Sequence, residues 1–83
     1  MTTLHRNAAD SLDALIARRL RARREAAGLS AEALGARLGL PAQRIEDFEA
    51  ARAPVPLFTL ARLSEALGVR LAAFFVGTGG KSG

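Results

Sequence analysis

Apolar residues recur every three or four positions in several short segments of the chain, which is the period of an α-helix. The first such stripe follows a possible helix cap at Asp10 or Ser11 and ends at Gly28, a residue suited to a left-handed helix end. Its apolar members are Leu12, Leu15, Ile16 and Leu20. The spacing therefore predicts a first helix over about residues 10–27.

Two shorter stripes follow and are separated by a single glycine, Gly39. Ser30 is placed to cap the first of these helices, and Gly39 to end it. The next helix is predicted from about Pro41 to Ala50, because proline is tolerated in a first helical turn. Gly35 provides little bulk where the two helices approach each other. The residues expected to fill the angle between them are Leu34, Leu38, Leu40, Ile45 and Phe48.

The remainder of the chain predicts an extended link and two further helical segments. Two prolines hold residues 51–56 away from helical geometry. A fourth helix ends at Gly68, and residues 69–76 are expected to form one or two further turns. The apolar stripe of the fourth helix is Leu57, Leu60, Leu63 and Leu67. The pattern predicts an all-α domain of five helices over residues 10–76, with a flexible arm at 1–9 and a disordered tail at 77–83.

The composition supports helices and removes several classes of chemistry. Alanine and leucine make up over a third of the 83 residues, and both are strong helix formers. The absence of cysteine excludes disulfide scaffolds, thiolate zinc sites and cysteine nucleophiles. The single histidine, His5, lies in the predicted arm, so we expect no metal site, no cofactor and no enzymatic activity. No apolar run is long enough to span a membrane, and we expect a cytoplasmic protein.

The positive charge is unevenly distributed. All 12 basic residues except Lys81 are arginines, and the formal net charge is +4, which favours phosphate-bearing partners. Residues 31–50, however, carry two arginines against four acidic side chains, a net charge of −2. We expect one of these acids, Glu49, to pair with an arginine of the first helix.

Two short helices that meet across a tight turn form the helix-turn-helix design, in which one helix braces and the next is presented to a groove. The segments that carry a family resemblance are Gly28–Gly35, Leu38–Leu40, Ile45, Phe48–Glu49 and Arg52, with Ile16–Arg24 upstream and Leu60, Leu63, Ala66–Val69 and Phe74–Phe75 downstream. Over about residues 12–76 the chain resembles the XRE family of phage-repressor-type (Cro/cI-like) helix-turn-helix transcriptional regulators. The resemblance implies a five-helix repressor-like fold that binds double-stranded DNA.

The resemblance also implies a role for individual residues. Helix three would be the recognition helix in the major groove of a palindromic operator. A protein of this kind would be associated with the nucleoid when it is bound to DNA. Its base-contacting residues would be Ala42, Gln43, Arg44 and Asp47. The residues implied to contact phosphate are Arg24, Ser30, Ala31, Arg37 and Arg52. The family usually has glycine in the place of Ala51, so we expect the turn after helix three to differ.

The apolar C-terminal segment suggests self-association. Residues 71–76 contain no polar side chain, and on one short helix they cannot all face the same core. We therefore expect a homodimer with a seam at Ala72, Ala73 and Val76. The alternative is that the larger side chains are core and the alanines are simply exposed.

A different function is compatible with the same fold. The negative charge of residues 31–50 favours a helix-turn-helix protein-interaction module, such as an antitoxin or an adaptor, with weak or no DNA binding. Its partner would then be another protein, such as a toxin or another regulator.

Overall fold

The computed structural model describes the backbone of residues 2–75 and the side chains of residues 12–75. This part of the chain is helical and contains no strand. The helices are α1 (Thr2–Ala26), α2 (Ala31–Leu38), α3 (Ala42–Glu49), α4 (Leu57–Leu67) and a 3₁₀ helix (Leu71–Phe74). The all-α prediction is confirmed.

The prediction of five helices is wrong, since the described residues form four α-helices. The C-terminal segment forms only the four-residue 3₁₀ helix, which is too short to establish an α-helical hydrogen-bond ladder. Phe74 anchors that turn because its side chain is fully buried. Val76 and the predicted tail 77–83 lie outside the described residues.

The first helix begins at Thr2, upstream of the cap predicted at Asp10 or Ser11. No glycine or proline interrupts the sequence between Thr2 and Ala26, so the backbone has no local reason to leave helical geometry. The division of the chain into an arm, a domain and a tail stays a prediction.

One hydrophobic core joins all four α-helices and the 3₁₀ helix. Its buried members are Ile16, Leu20, Leu34, Leu38, Ile45, Phe48, Leu60, Leu63 and Phe74. The inward faces predicted for helices two and three are confirmed. The predicted stripes are wrong at their N-terminal ends, because Leu12 is 44% exposed and Leu57 is 68% exposed. Leu57 is the first residue of α4, and the buried part of the stripe begins one turn later, at Leu60.

The turn between α2 and α3 is fixed by backbone contacts. Ser30 caps α2, since its Oγ accepts a hydrogen bond from the Ala33 N–H at 2.9 Å. At the other end, the Leu40 N–H donates to the Gly35 carbonyl at 2.8 Å. The Leu40 carbonyl oxygen lies too close to Gly35 to leave room for a Cβ there. The predicted close approach at Gly35 is therefore confirmed, and α3 begins at Ala42 with Pro41 as its N-cap.

The turn after α3 keeps a left-handed geometry although it lacks glycine. Ala51 has a φ of 58°. Its N–H donates to the Phe48 carbonyl at 3.1 Å, and the Arg52 N–H donates to the Asp47 carbonyl at 2.9 Å. These two bonds form a Schellman motif. The expectation of a different turn is wrong, because the two hydrogen bonds hold an alanine in a conformation that usually favours glycine.

We expect Ala51→Gly to stabilise the domain by about 0.5–1 kcal/mol. A left-handed L-residue costs about 1–2 kcal/mol, and the larger conformational entropy of glycine in the unfolded chain offsets part of the gain. Urea denaturation measures the change. Ala50→Gly is the matched control, since Ala50 has a φ of −93° and gains nothing from glycine. Equal destabilisation by both variants would contradict the strain at Ala51.

Candidate functional site

The candidate site is the surface of α3 that faces away from the core. Ile45 and Phe48 hold the opposite side of the helix in the core. Gln43 and Asp47 are one turn apart, in the middle of the outward face. The four residues predicted to contact bases are all on this helix: Gln43 and Arg44 are exposed, and Ala42 and Asp47 are half-buried.

Asp47 is the centre of a polar network on this surface. Its Oδ1 accepts a hydrogen bond from Gln43 Nε2 at 3.0 Å and another from Arg52 Nε at 3.0 Å. Arg52 Nη2 lies 2.9 Å from the same oxygen. The Schellman turn places Arg52 here, because it brings the residue after Ala51 back over the end of the helix.

The network keeps Asp47 ionised. Because Gln43 and Arg52 donate hydrogen bonds to its carboxylate, the pKa of Asp47 lies below the ordinary value of 3.8. A lowered pKa in the folded state means that the network stabilises the fold above about pH 4, and that this contribution is lost as the pH falls further. At neutral pH the carboxylate is therefore a charged acceptor with its donors in place.

Glu49 pairs with Arg24, which confirms the predicted contact with the first helix. Arg24 Nε donates to Glu49 Oε2 at 2.6 Å, and Nη2 donates to Oε1 at 2.9 Å. Arg24 Nη1 also donates to the Leu29 carbonyl at 2.8 Å. The hydrogen bond to Glu49 raises the pKa of Arg24 further. This geometry makes Arg24 a brace between α1 and α3, and we therefore omit it from the phosphate contacts.

The ion pairs Arg52–Asp47 and Arg24–Glu49 change the electrostatics of residues 31–50, the α2–α3 unit. Glu49 and Asp47 are each neutralised by an arginine from outside residues 31–50. Arg44 is exposed and forms no hydrogen bond or ion pair with the rest of the described chain. The surface of α3 is thus much less acidic than the sequence tally of −2 indicates.

The other residues predicted to contact phosphate differ in how far their polar groups are already bound within the chain. The side chain of Ser30 serves as the cap of α2, and Ala31 contributes only its backbone N–H. Arg37 donates from Nη1 to the Ala66 carbonyl at 3.1 Å, which ties the end of α2 to the end of α4. Arg52 is 58% exposed but is held by Asp47.

The predicted dimer seam is only partly described. Ala72 is exposed and Ala73 is half-buried, while Val76 lies outside the described residues. The two alanines line a shallow hollow together with Arg23, Val69 and Arg70.

Sequence reasoning missed a more prominent apolar feature at the start of α4. Leu57 is 68% exposed and Phe58 is 75% exposed. The sequence did contain a signal for this exposed pair. Phe58 follows directly on Leu57 and is therefore one residue out of phase with the apolar stripe of its helix.

Comparison with known families agrees with the resemblance seen in the sequence. Residues 15–73, more than two thirds of the chain, match the model of a family described as Helix-turn-helix domain. No curated protein and no solved structure gives a significant match. Separately, none of the described helices is both long and apolar enough to cross a membrane.

Proposed function

Because this chain belongs to the helix-turn-helix domain family, we propose that it is a sequence-specific DNA-binding transcriptional regulator whose recognition helix is α3. The observation that supports this proposal best is the outward face of α3. It carries Gln43 and Arg44 free of the core, next to a carboxylate that is already neutralised. A face of this kind has the donors and acceptors that base edges in the major groove require.

The proposed mechanism is positional and needs no catalysis. Arg44 would donate to guanine O6 and N7, and Gln43 would form a bidentate contact with adenine. The N–H groups at the start of α2, after Ser30, and the guanidinium of Arg52 would hold backbone phosphates. Release of condensed counterions would supply much of the affinity.

We further propose a homodimer on a palindromic site. Two copies would present two α3 helices about 34 Å apart to successive major grooves. The candidate contacts remain Ala72, Ala73 and Val76. A dimer would also enlarge the small core of this 83-residue chain.

The direct test is selection of bound duplexes from a random library, followed by titration of the selected duplex across a salt series. We expect an enriched motif and a steep loss of affinity with added salt. No enrichment, together with no salt-dependent binding to any duplex, would overturn the proposed function.

Replacement of Arg44 by alanine should cost about 1–3 kcal/mol on the selected duplex and much less on random DNA. The expected reason is the loss of a bidentate contact to one base. Arg62→Ala is the matched control, because Arg62 is also exposed but lies on α4, outside both the α2–α3 unit and the proposed dimer contacts. Equal losses on selected and random duplexes would make Arg44 a phosphate contact instead.

A second candidate function is protein binding, as an antitoxin or an adaptor. The exposed pair Leu57 and Phe58 favours it, because adjacent large apolar side chains on a surface commonly mark a contact with another protein. The same selection experiment separates the two functions. A chain that enriches no duplex leaves protein binding as the better explanation of the fold.

A further inference from the structure

The shallow hollow between α1 and the C-terminal 3₁₀ helix combines apolar surface with two cations. Its volume is about 410 Å³. Val69, Ala72 and Ala73 supply the apolar surface, and Arg23 and Arg70 are its charged residues. Since a cavity of about 150 Å³ holds a benzene ring, the hollow has room for a large apolar side chain and for polar groups beside it.

The positive charge of this hollow is not balanced from within the described chain. No acidic side chain of the described residues lines it, and neither the Arg23 nor the Arg70 guanidinium forms a hydrogen bond or ion pair there. Two other hollows on the surface have carboxylates beside their arginines. Glu65 lines one of them, and Glu46 and Glu49 line the other. The hollow at the 3₁₀ helix therefore needs its counter-charge from another molecule.

We propose that this hollow is a docking site for a segment of another protein in which acidic residues flank a large apolar side chain. The apolar side chain would fill the hollow, and its neighbouring carboxylates would form charge-assisted hydrogen bonds with Arg23 and Arg70. The phosphates of a nucleic acid would pair with the arginines but leave the apolar surface uncovered. None of the lining residues belongs to α2 or α3, so the inference goes beyond the proposed function and does not depend on it.

The backbone around the hollow is ordered before any partner binds. The Val69 N–H donates to the Ser64 carbonyl at 3.0 Å, and the Ala73 N–H donates to the Arg70 carbonyl at 2.9 Å. The next residue, Phe74, is fully buried in the core. A surface that is already fixed loses little conformational entropy on binding, which favours docking.

A second copy of the chain is the other possible occupant. Ala72 and Ala73 also belong to the proposed dimer seam, so one chain cannot use them for both contacts at the same time. A twofold seam joins the same patch from both copies. It would bring Arg23 and Arg70 together from two sides with no carboxylate from either hollow, and like charges across an interface are unfavourable. An acidic segment should therefore compete with self-association through these alanines.

The test is selection of binders from a phage-displayed library of random peptides, with the full chain as the target. We expect the enriched peptides to have an apolar residue flanked by acidic ones, and to bind less tightly as salt is added. The double variant Arg23→Ala with Arg70→Ala should weaken their binding about 10-fold or more. Arg62→Ala is the control, because Arg62 is an exposed arginine that lies beside Glu65 in a different hollow. It should leave the affinity unchanged.

A matched pair of substitutions at Ala72 separates charge from bulk. Ala72→Glu places a carboxylate among the residues of the hollow, and Ala72→Gln adds the same bulk without the charge. Ala72 is exposed, so both variants should fold, and circular dichroism checks this. We expect the glutamate to weaken peptide binding about 10-fold more than the glutamine does, because it supplies the counter-charge from within.

Each outcome supports or overturns the inference. It is overturned if no peptide is enriched, if the enriched peptides have no excess of acidic residues, or if the double arginine variant binds them as Arg62→Ala does. Equal effects of glutamate and glutamine at Ala72 would also overturn it. If Arg70→Glu strengthens self-association in sedimentation and no acidic peptide is enriched, the occupant is a second copy. Selection of DNA duplexes tests the proposed function separately, so either proposal can fail while the other stands.

Discussion

Loss of the Glu49 carboxylate is expected to lower the free energy of unfolding by about 3–5 kcal/mol, because it leaves the charge of Arg24 largely buried without its partner. The side chains of Arg24 and Glu49 are only 14% and 9% exposed, and they meet through two short hydrogen bonds. A domain of this size has roughly 5 kcal/mol of net stability. Glu49→Gln should therefore come close to unfolding the protein at room temperature.

The chain contains its own control for this prediction. Arg21 and Glu25 form an ion pair on the surface of α1, with side chains 66% and 57% exposed. Breaking it with Arg21→Ala should cost only about 0.2–0.5 kcal/mol, because solvent screens an exposed pair. Chemical denaturation followed by circular dichroism gives both values. Similar small losses at the two sites would contradict the bracing role of Arg24.

A double variant keeps the experiment informative if Glu49→Gln does not fold. Replacing the pair by apolar residues, as in Arg24→Met with Glu49→Leu, removes both charges together. We expect this variant to recover much of the stability, since a buried ion pair is often no better than apolar packing of similar volume. Failure of the double variant to exceed Glu49→Gln would show that the loss does not come from an unpaired charge.

Phe74→Ala is the second change with a large expected effect, about 3–5 kcal/mol. Phe74 is fully buried and is the largest side chain in that state. It belongs to the 3₁₀ helix, which contacts α1 and α4. Truncation would leave a cavity where these three elements meet.

Phe58→Ala removes the same atoms from a side chain that is 75% exposed. The stability change there should stay within about 0.5 kcal/mol. Thermal unfolding of the two variants measures the contrast. If Phe74→Ala also left the melting temperature unchanged, the 3₁₀ helix would be an appendage and not a part of the core.

Local sequence signals predicted the α2–α3 unit well. The Ser30 cap, the end at Gly39 and the buried positions Leu34 and Phe48 all follow from side-chain chemistry within a few residues. Such features depend on nearest neighbours, and the structure confirms them. The partner of Glu49 was predicted only as some arginine of the first helix, because several of these arginines are close in sequence and only the packing of α1 selects Arg24.

The errors arose where tertiary contacts decide. Periodicity places Leu57 on the same stripe as Leu60 and Leu63, but it could not show that only the latter two are buried. The sequence also gave no sign that Ala51 would keep a left-handed turn. Without that turn the position of Arg52 is undefined, so the network around Asp47 could not be predicted.

The contact between Gly35 and Leu40 has a consequence for how this domain can change over time. The angle between α2 and α3 depends on backbone atoms and on buried side chains, and the outward residues Gln43 and Arg44 take no part in it. Substitution of Arg44 should therefore be nearly neutral for folding, and substitution of Gln43 should cost only its exposed hydrogen bond to Asp47. New binding preferences can arise there by single mutations, while the frame that presents them is inherited unchanged.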